Sequence, residues 1–190
     1  MRQIAIALVH HPVVDAQGAT VTTAITNLDV HDLARSARTF GCSDYFIVHP
    51  IAAQRDLVDR ICQHWTEGSS GRRIPDRKIA LALVRVVSSL DEAIERLGGR
   101  DAVEVWVTAA RRVAPPFSFE EGRRRVEGDG KPILIVFGTG WGLAQSVIDA
   151  ADGALDSIRA DGQSYNHLSV RAACAIALDR LLGSRAPRPA

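Results

Sequence analysis

The chain has 190 residues, 46% of them hydrophobic and 24% charged, with a formal net charge of +1. One ordinary domain of that composition can bury a core without disulfides or metal, and it is neither disordered nor collagen-like. The longest apolar runs, Ile79–Val84 and Ile133–Phe137, are far short of the roughly 20 residues that a membrane span needs, so no membrane association is expected.

Ile4–Val9, after Arg2, is too short for the apolar core of a signal peptide, and Gln3–Val9 reads as a buried strand. Asp29–Phe40 reads as a helix, with Val30, Leu33, Ala34, Ala37 and Phe40 on one face, Asn27 or Asp29 as its cap and Gly41 at its end. Tyr45–His49 is a short strand stopped by Pro50, and Gln54–Trp65 a second helix. Glu67–Arg73 is a Gly/Ser-rich loop. Ile79–Val87 reads as a strand, Leu90–Leu97 as a helix closed by Gly98-Gly99, and Val103–Thr108 as a strand. Ser118–Val126 is a helix whose Ser118 and Glu121 have the spacing of a capping box. Ile133–Phe137 is a strand, Ala144–Ala150 a short helix and Ala154–Ile158 the sixth strand. Ser169–Leu182 is the last helix, and 183–190, with Pro187 and Pro189, a frayed tail.

Six strands alternating with helices predict one α/β domain over residues 1–190, a mostly parallel sheet with helices on both faces. In such sheets ligands bind beyond the carboxyl ends of the strands, here the loops after Val9, Phe137 and Ile158. Cys42, Cys62 and Cys174 are odd in number and widely spaced, with no CxxC pair. That favours neither a disulfide framework nor a metal site, and it suits a reducing cytoplasm.

Three clusters carry chemistry. Gly138-Thr139-Gly140-Trp141-Gly142-Leu143 follows a strand and opens a helix, where glycines let backbone approach a ligand. A dinucleotide fold would place such a loop after its first strand with G-x-G-x-x-G spacing, whereas this one comes late and reads G-x-G-x-G. Asp156 imitates the ribose-binding acid of that fold in spacing alone, and no GK[ST] of a P-loop follows. Ser164-Tyr165-Asn166-His167-Leu168-Ser169-Val170-Arg171 is more polar than capping of the last helix requires. Asp29, His31, Asp32 and Arg35 crowd the first helix, where Asp32 and Arg35 have the spacing of a surface ion pair. Basic residues gather at Arg72-Arg73 with Arg77-Lys78, at Arg111-Arg112 and at Arg123-Arg124-Arg125; such clusters neutralise phosphates or simply solvate a surface.

Taken together these motifs resemble the SPOUT superfamily, the knotted methyltransferases that act mainly on RNA. Arg35–Gly41 with the strand Tyr45–His49 is similar to the first motif of the ribose 2′-O-methylating branch, Val136–Leu143 to the second and Ser164–Ala173 to the third. The likeness runs from Ile4 to Leu182 and is nearest to small stand-alone bacterial domains related to the tRNA guanine-N1 methyltransferases. It implies a C-terminal trefoil knot, a homodimer with the RNA site formed across two subunits, and S-adenosylmethionine as cofactor. The cofactor would be held at Phe137, Gly138, Thr139, Gly140, Gly142, Leu143, Asp156, Ser157, Ile158, Tyr165, Asn166, Leu168 and Ser169. Arg35 is the expected residue beside the reacting group; Asp29 (or Asp161) is the expected proton acceptor for a base nitrogen, and His167 a candidate general base. Gly140 stands where the 2′-O branch carries Glu, the motif is one residue shorter, and Asn27 lies two residues before the place of the motif Asn. The methylated atom, ribose 2′-O or base nitrogen, is therefore open, with tRNA or rRNA the expected substrate. A non-catalytic S-adenosylmethionine-binding RNA module and a Rossmann-like nucleotide enzyme are the competing readings. His10-His11, just after the first strand, stand at the ligand-facing edge of the sheet as candidates for substrate contact; His49, His64, Trp65 and Trp106 are read as structural.

Overall fold

A computed structural model describes residues 1–67, 73–111, 113 and 116–185. Arg72, Arg112, most of the loop 67–73 and the end of the tail, with Pro187 and Pro189, lie outside the described residues.

The strands are β1 (Ile4–Val9), β2 (Val13–Val14), β3 (Thr20–Val21), β4 (Tyr45–Val48), β5 (Val84–Val87), β6 (Glu104–Val107), β7 (Pro116–Phe117), β8 (Ile133–Gly138) and β9 (Gly153–Leu155). The helices are α1 (Asn27–Thr39), α2 (Ala52–Thr66), α3 (Pro75–Leu81), α4 (Leu90–Arg96), α5 (Phe119–Glu127), α6 (Gln145–Asp149) and α7 (Val170–Leu182). Seven strands form one sheet in the order β5-β4-β1-β8-β6-β9-β7, every pair parallel, while β2 and β3 make a separate antiparallel hairpin.

β1 and β8 lie at the centre, in register from Ile4 against Ile133 to Val9 against Gly138. Because side chains alternate along a strand, each central strand feeds two cores. Ile4, Ile6, Leu8, Tyr45, Ile47, Trp106, Ile135 and Phe137 face Val30 and Leu33 of α1, Val58 of α2, Leu81 of α3, Val126 of α5 and Leu178 of α7. Ala5, Ala7, Val9, Phe46, Val48, Val105, Val107, Leu134 and Val136 face Ala93 and Ile94 of α4 and Val147 of α6. Strands covered on both faces must be apolar throughout, which is why IAIALV and ILIVFG read as continuous runs.

Departures from expectation have local causes. The run Ile79–Val87 is not one strand: Pro75–Leu81 is helical, and only Val84–Val87 pairs with β4. Pro75 sits in the first turn, where its missing N–H costs nothing, and Asp76 complements the helix N-terminus. A six-residue apolar run fits either a buried strand or a buried helix turn. The sheet also has a seventh strand, Pro116–Phe117, parallel to β9 at the edge. A proline as the first residue of an edge strand loses no ladder hydrogen bond, so this strand has no sequence signature. β9 is shorter than Ala154–Ile158 and begins at Gly153.

The β7–β9 edge depends on a missing side chain. A Cβ at Gly153 would lie 2.6 Å from Phe117 Cε1. The Phe117 ring is held edge-on to Trp106 at 4.8 Å, with the Arg125 guanidinium 4.5 Å above it, and has little room to move. Gly153→Ala is therefore expected to destabilise the fold by about 1–3 kcal/mol, seen as a lower urea midpoint. An unchanged midpoint would mean that the edge strand moves freely.

Candidate active site

A cavity of about 760 Å³ opens beyond the carboxyl ends of β1, β6, β8 and β9. The hairpin β2–β3 roofs one side of it, Thr108–Arg111 and Phe137–Leu143 form the floor, and Asn166–Ala173 leads from its rim into α7. The loops expected after Val9, Phe137 and Ile158 all contribute. The loop after β6 contributes too, through Thr108, Ala109, Ala110 and Arg111. Asn166 ties that loop to the rim, its Nδ2 donating to Ala110 O at 2.7 Å.

The glycine loop after β8 is fastened at every turn. Thr139 N–H donates to Val9 O at 3.2 Å, Trp141 N–H to Val14 O at 3.0 Å, and Val14 N–H to Gly142 O at 2.9 Å. Gly140 has φ +61°, and a Cβ there would stand 3.0 Å from Val14 O. The loop thus lies close under the hairpin and presents backbone to the cavity, which is what its glycines are for.

Beneath it runs a polar chain from two half-buried threonines of the cavity wall to two buried histidines. Thr139 Oγ1 and Thr23 Oγ1 are 2.5 Å apart, and Thr23 Oγ1 is 3.1 Å from His10 Nδ1. His49 Nε2–H donates to Thr23 O at 3.0 Å, while His49 Nδ1 accepts from Ile51 N–H at 3.1 Å, so His49 is neutral with its proton on Nε2. His10 is fully buried, and its Nε2 has no partner among the described residues. Burial, and secondarily the neighbouring His49, hold the His10 imidazole down at about 4; burial also lowers His49 and His31.

In the unfolded chain a histidine takes its proton near its ordinary value of 6.5. Between that pH and about 4 the unfolded chain therefore binds a proton that folded His10 refuses. Stability is then full above the upper value and declines as pH falls toward the lower one. A loss of about 3 kcal/mol from His10 alone is expected across this window. Urea titrations from pH 7 to pH 4 test this, with His10→Asn flattening the slope; an equal slope in the variant would assign the loss elsewhere.

Asp29 and Arg171 form the charged wall. Asp29 is buried at the start of α1 and lines the cavity. Thr26, which is the observed cap of α1 in place of Asn27 or Asp29, receives Asp29 N–H on Oγ1 at 3.2 Å. The same hydroxyl donates to Asp29 Oδ2 at 2.6 Å. Arg171 Nη1 donates to Asp29 Oδ1 at 2.7 Å, and its Nε lies 3.6 Å from Asp32 Oδ2. This pair joins residues 142 apart in the chain. Arg171 lies within the polar segment singled out in the sequence, but no periodicity identifies its partner.

Of the expected cofactor residues, Phe137, Gly138, Thr139, Gly140, Gly142, Leu143, Asp156, Ile158, Asn166, Leu168 and Ser169 line the cavity, as does His167. Ser157 and Tyr165 are not in its wall, and neither are Asp161, His10 and His11. Arg35 stands away from it: its side chain is 61% exposed and 3.7 Å from Asp32, the surface ion pair that the spacing allows. Among the basic clusters Arg111 faces the cavity. Arg123, Arg124 and Arg125 are each paired with a glutamate one turn away, Glu127, Glu120 and Glu121, and Arg77 stacks on Trp65. The α5 cluster is thus structural: Arg123 also donates to Arg180 O and Gly183 O at the end of α7, and Arg125 covers the Phe117 ring.

The comparisons with known proteins agree with this geometry. A family model described as SAM-dependent RNA methyltransferase matches residues 3–183. A tRNA (guanine-N(1)-)-methyltransferase of Oleidesulfovibrio alaskensis is 46% identical over 187 residues, covering 96% of this chain and 42% of that protein. An uncharacterised protein of Aquifex aeolicus is 38% identical over 179 residues, 93% of this chain and 86% of its own length. Among solved structures, a putative methylase family protein from Neisseria gonorrhoeae superposes with a TM-score of 0.64 at 18% identity, over 98% of this chain and 84% of that one. The chain belongs to the family of S-adenosylmethionine-dependent RNA methyltransferases. It spans less than half the length of the guanine-N1 relatives that it matches.

The cavity fits that cofactor. Its volume is in the range of small-molecule sites, roughly 300–1,000 Å³. The Gly138–Gly142 backbone can meet a nucleoside at close range, and the carboxylates of Asp29 and Asp156 in the wall can face a cationic amino-acid end.

Proposed function

We propose that the chain methylates a base nitrogen of RNA, with tRNA as substrate. The observation that carries this reading is the Asp29–Arg171 pair set in the wall of the cofactor-shaped cavity. The relatives named for guanine-N1 methylation of tRNA support it, as does Gly140 in the place of the glutamate of the 2′-O branch.

S-adenosylmethionine supplies a methyl group on a sulfonium and leaves as a neutral thioether. The Phe137–Leu143 loop, Asp156, Ile158 and the Asn166–Ser169 rim would hold it. Positioning then accounts for much of the rate of an in-line transfer. Asp29 receives the proton that the attacking nitrogen loses, Thr26 fixes the second carboxylate oxygen, and Arg171 orients the carboxylate and offers its exposed edge to a phosphate or base oxygen. His167, on the rim, is the candidate for moving that proton on to solvent. Arg35 is outside the wall of this cavity and meets it through Asp32, which it shares with Arg171; as a catalytic residue it would serve from a partner subunit of a homodimer. The C-terminal trefoil knot belongs to the same reading, on the resemblance of Ser164–Ala173 to the segment that closes it. A cytoplasmic protein is part of the same reading, supported by Cys42, Cys62 and Cys174 as free thiols.

Calorimetric titration with S-adenosylmethionine, with NADH as control, tests the cofactor. Transfer of a labelled methyl group to bulk tRNA and rRNA tests the reaction. Cofactor binding without transfer would establish the non-catalytic module instead, and binding of NADH alone would favour the Rossmann-like reading.

A further inference from the structure

The chain has three tryptophans and two tyrosines. Trp106 and Tyr45 are fully buried, and Trp65 is half-buried against the core and the Arg77 guanidinium. Trp141 and Tyr165 are the exceptions, 65% and 78% exposed. Both stand at the cavity, Trp141 in its wall and Tyr165 one residue before the lining segment that starts at Asn166. His167 lies between them, its ring centroid 6.0 Å from Trp141 and 6.4 Å from Tyr165. Leaving two large aromatic rings in water is unfavourable unless something covers them.

We propose that Trp141, His167 and Tyr165 form a stacking platform that receives an unpaired nucleobase of RNA at the mouth of the cavity. The inference rests on the reading of the chain as an RNA methyltransferase and goes beyond it in assigning residues to the substrate. Single-stranded RNA is gripped by bases stacked on aromatic rings together with cations on its phosphates. Here Arg111 and Arg171 line the same cavity as Trp141. Tyr165 and His167 are interleaved with Ser164 and Asn166, and Leu168 is the one aliphatic neighbour before Ser169. A face interleaved with polar groups suits a base better than the dry core of a protein interface.

The test uses the purified chain without cofactor and a fluorescein-labelled single-stranded RNA dodecamer of mixed sequence, read by anisotropy. Trp141→Leu and Tyr165→Leu should each weaken binding about tenfold or more, while Trp141→Phe, which keeps a π face, stays within about threefold of the parent. A dodecamer of abasic sugars should bind the parent chain as weakly as the intact RNA binds the leucine variants. The proposal is overturned if the parent does not bind the dodecamer, if the leucine variants bind as the parent does, or if abasic and intact RNA bind alike. It is also overturned if sedimentation shows that Trp141→Leu converts a dimer to a monomer, since the rings would then be covered by a second copy. Stacking that survives these tests without methyl transfer to bulk RNA would sink the proposed reaction and leave the platform standing.

Discussion

Gly138→Ala is expected to lower the affinity for S-adenosylmethionine by about 100-fold or more while leaving a folded protein. The added Cβ would stand 2.8 Å from Leu143 N and 2.9 Å from Leu143 Cγ and Cδ2. Leu143 has little freedom to yield: it is buried at 2% exposure, and it bridges to Val13 in the hairpin. The relief left to the chain is to lift the Thr139–Gly142 loop, whose backbone the cofactor would contact. That movement strains the bonds from Thr139 N to Val9 O and from Trp141 N to Val14 O. The central strands below Gly138 are untouched, so the cost to the fold is that of one overpacked site, about 1–3 kcal/mol. Calorimetry on the variant, with thermal unfolding as the check on folding, separates the two effects. Gly128→Ala is the control, a glycine outside the cavity wall with an ordinary φ of −74° and its nearest neighbour, Arg124 O, 3.5 Å from its Cβ position. An affinity for the cofactor within about threefold of the parent in Gly138→Ala would mean that this loop does not hold it.

The loop is also the part of the site that reads most plainly in the sequence, and the reason is local. A strand covered on both faces must be apolar without interruption, and a backbone that approaches a ligand must carry glycine; both signals lie in adjacent residues from Ile133 to Gly142. β1 and β4 are legible for the first of these reasons. Ile79–Leu81 is not, because three apolar residues fit a helix turn packed on α1 as well as they fit a strand, and Pro75, four residues earlier, decides the matter. Pro116–Phe117 is a strand only because β9 lies beside it. The cap of α1 falls one residue before the expected Asn27, since Thr26 can both receive Asp29 N–H and donate to the Asp29 carboxylate. The charged wall was half visible: Asp29 and Arg171 each stand in a polar cluster, but their bond crosses 142 residues and exists only through the packing of α7 on α1. Arg35 illustrates the converse, a residue prominent in the motif whose side chain points to solvent beside Asp32.

Asp29→Asn is expected to lower methyl transfer by about 100-fold or more, the range for loss of a general base, with a smaller effect on cofactor affinity. The amide keeps the shape of the carboxylate and can still receive the Arg171 N–H, so geometry survives while the proton acceptor does not. Arg171→Met acts differently. It leaves the Asp29 carboxylate, whose side chain is 8% exposed, with Thr26 as its remaining side-chain partner. A buried charge stripped of its counter-ion is destabilising; because the Arg171 side chain is 34% exposed and water reaches the pair, about 1–3 kcal/mol is expected rather than the full cost of a dry pair. Combining the two substitutions removes the orphaned charge as well as its partner. The double variant should therefore be more stable than the sum of the single losses predicts, with a coupling energy of about 0.5–3 kcal/mol. At saturating tRNA, transfer should fall no further than in Asp29→Asn alone, since both residues act on one proton, while the lost Arg171 contact to RNA raises the tRNA concentration needed for saturation. Urea unfolding and single-turnover transfer to tRNA on the four proteins complete the cycle. Additive losses in stability would mean that the two side chains do not meet in solution. Transfer near that of the parent in Asp29→Asn would move the proton acceptor to another group of the wall, with Asp156 the nearest in kind.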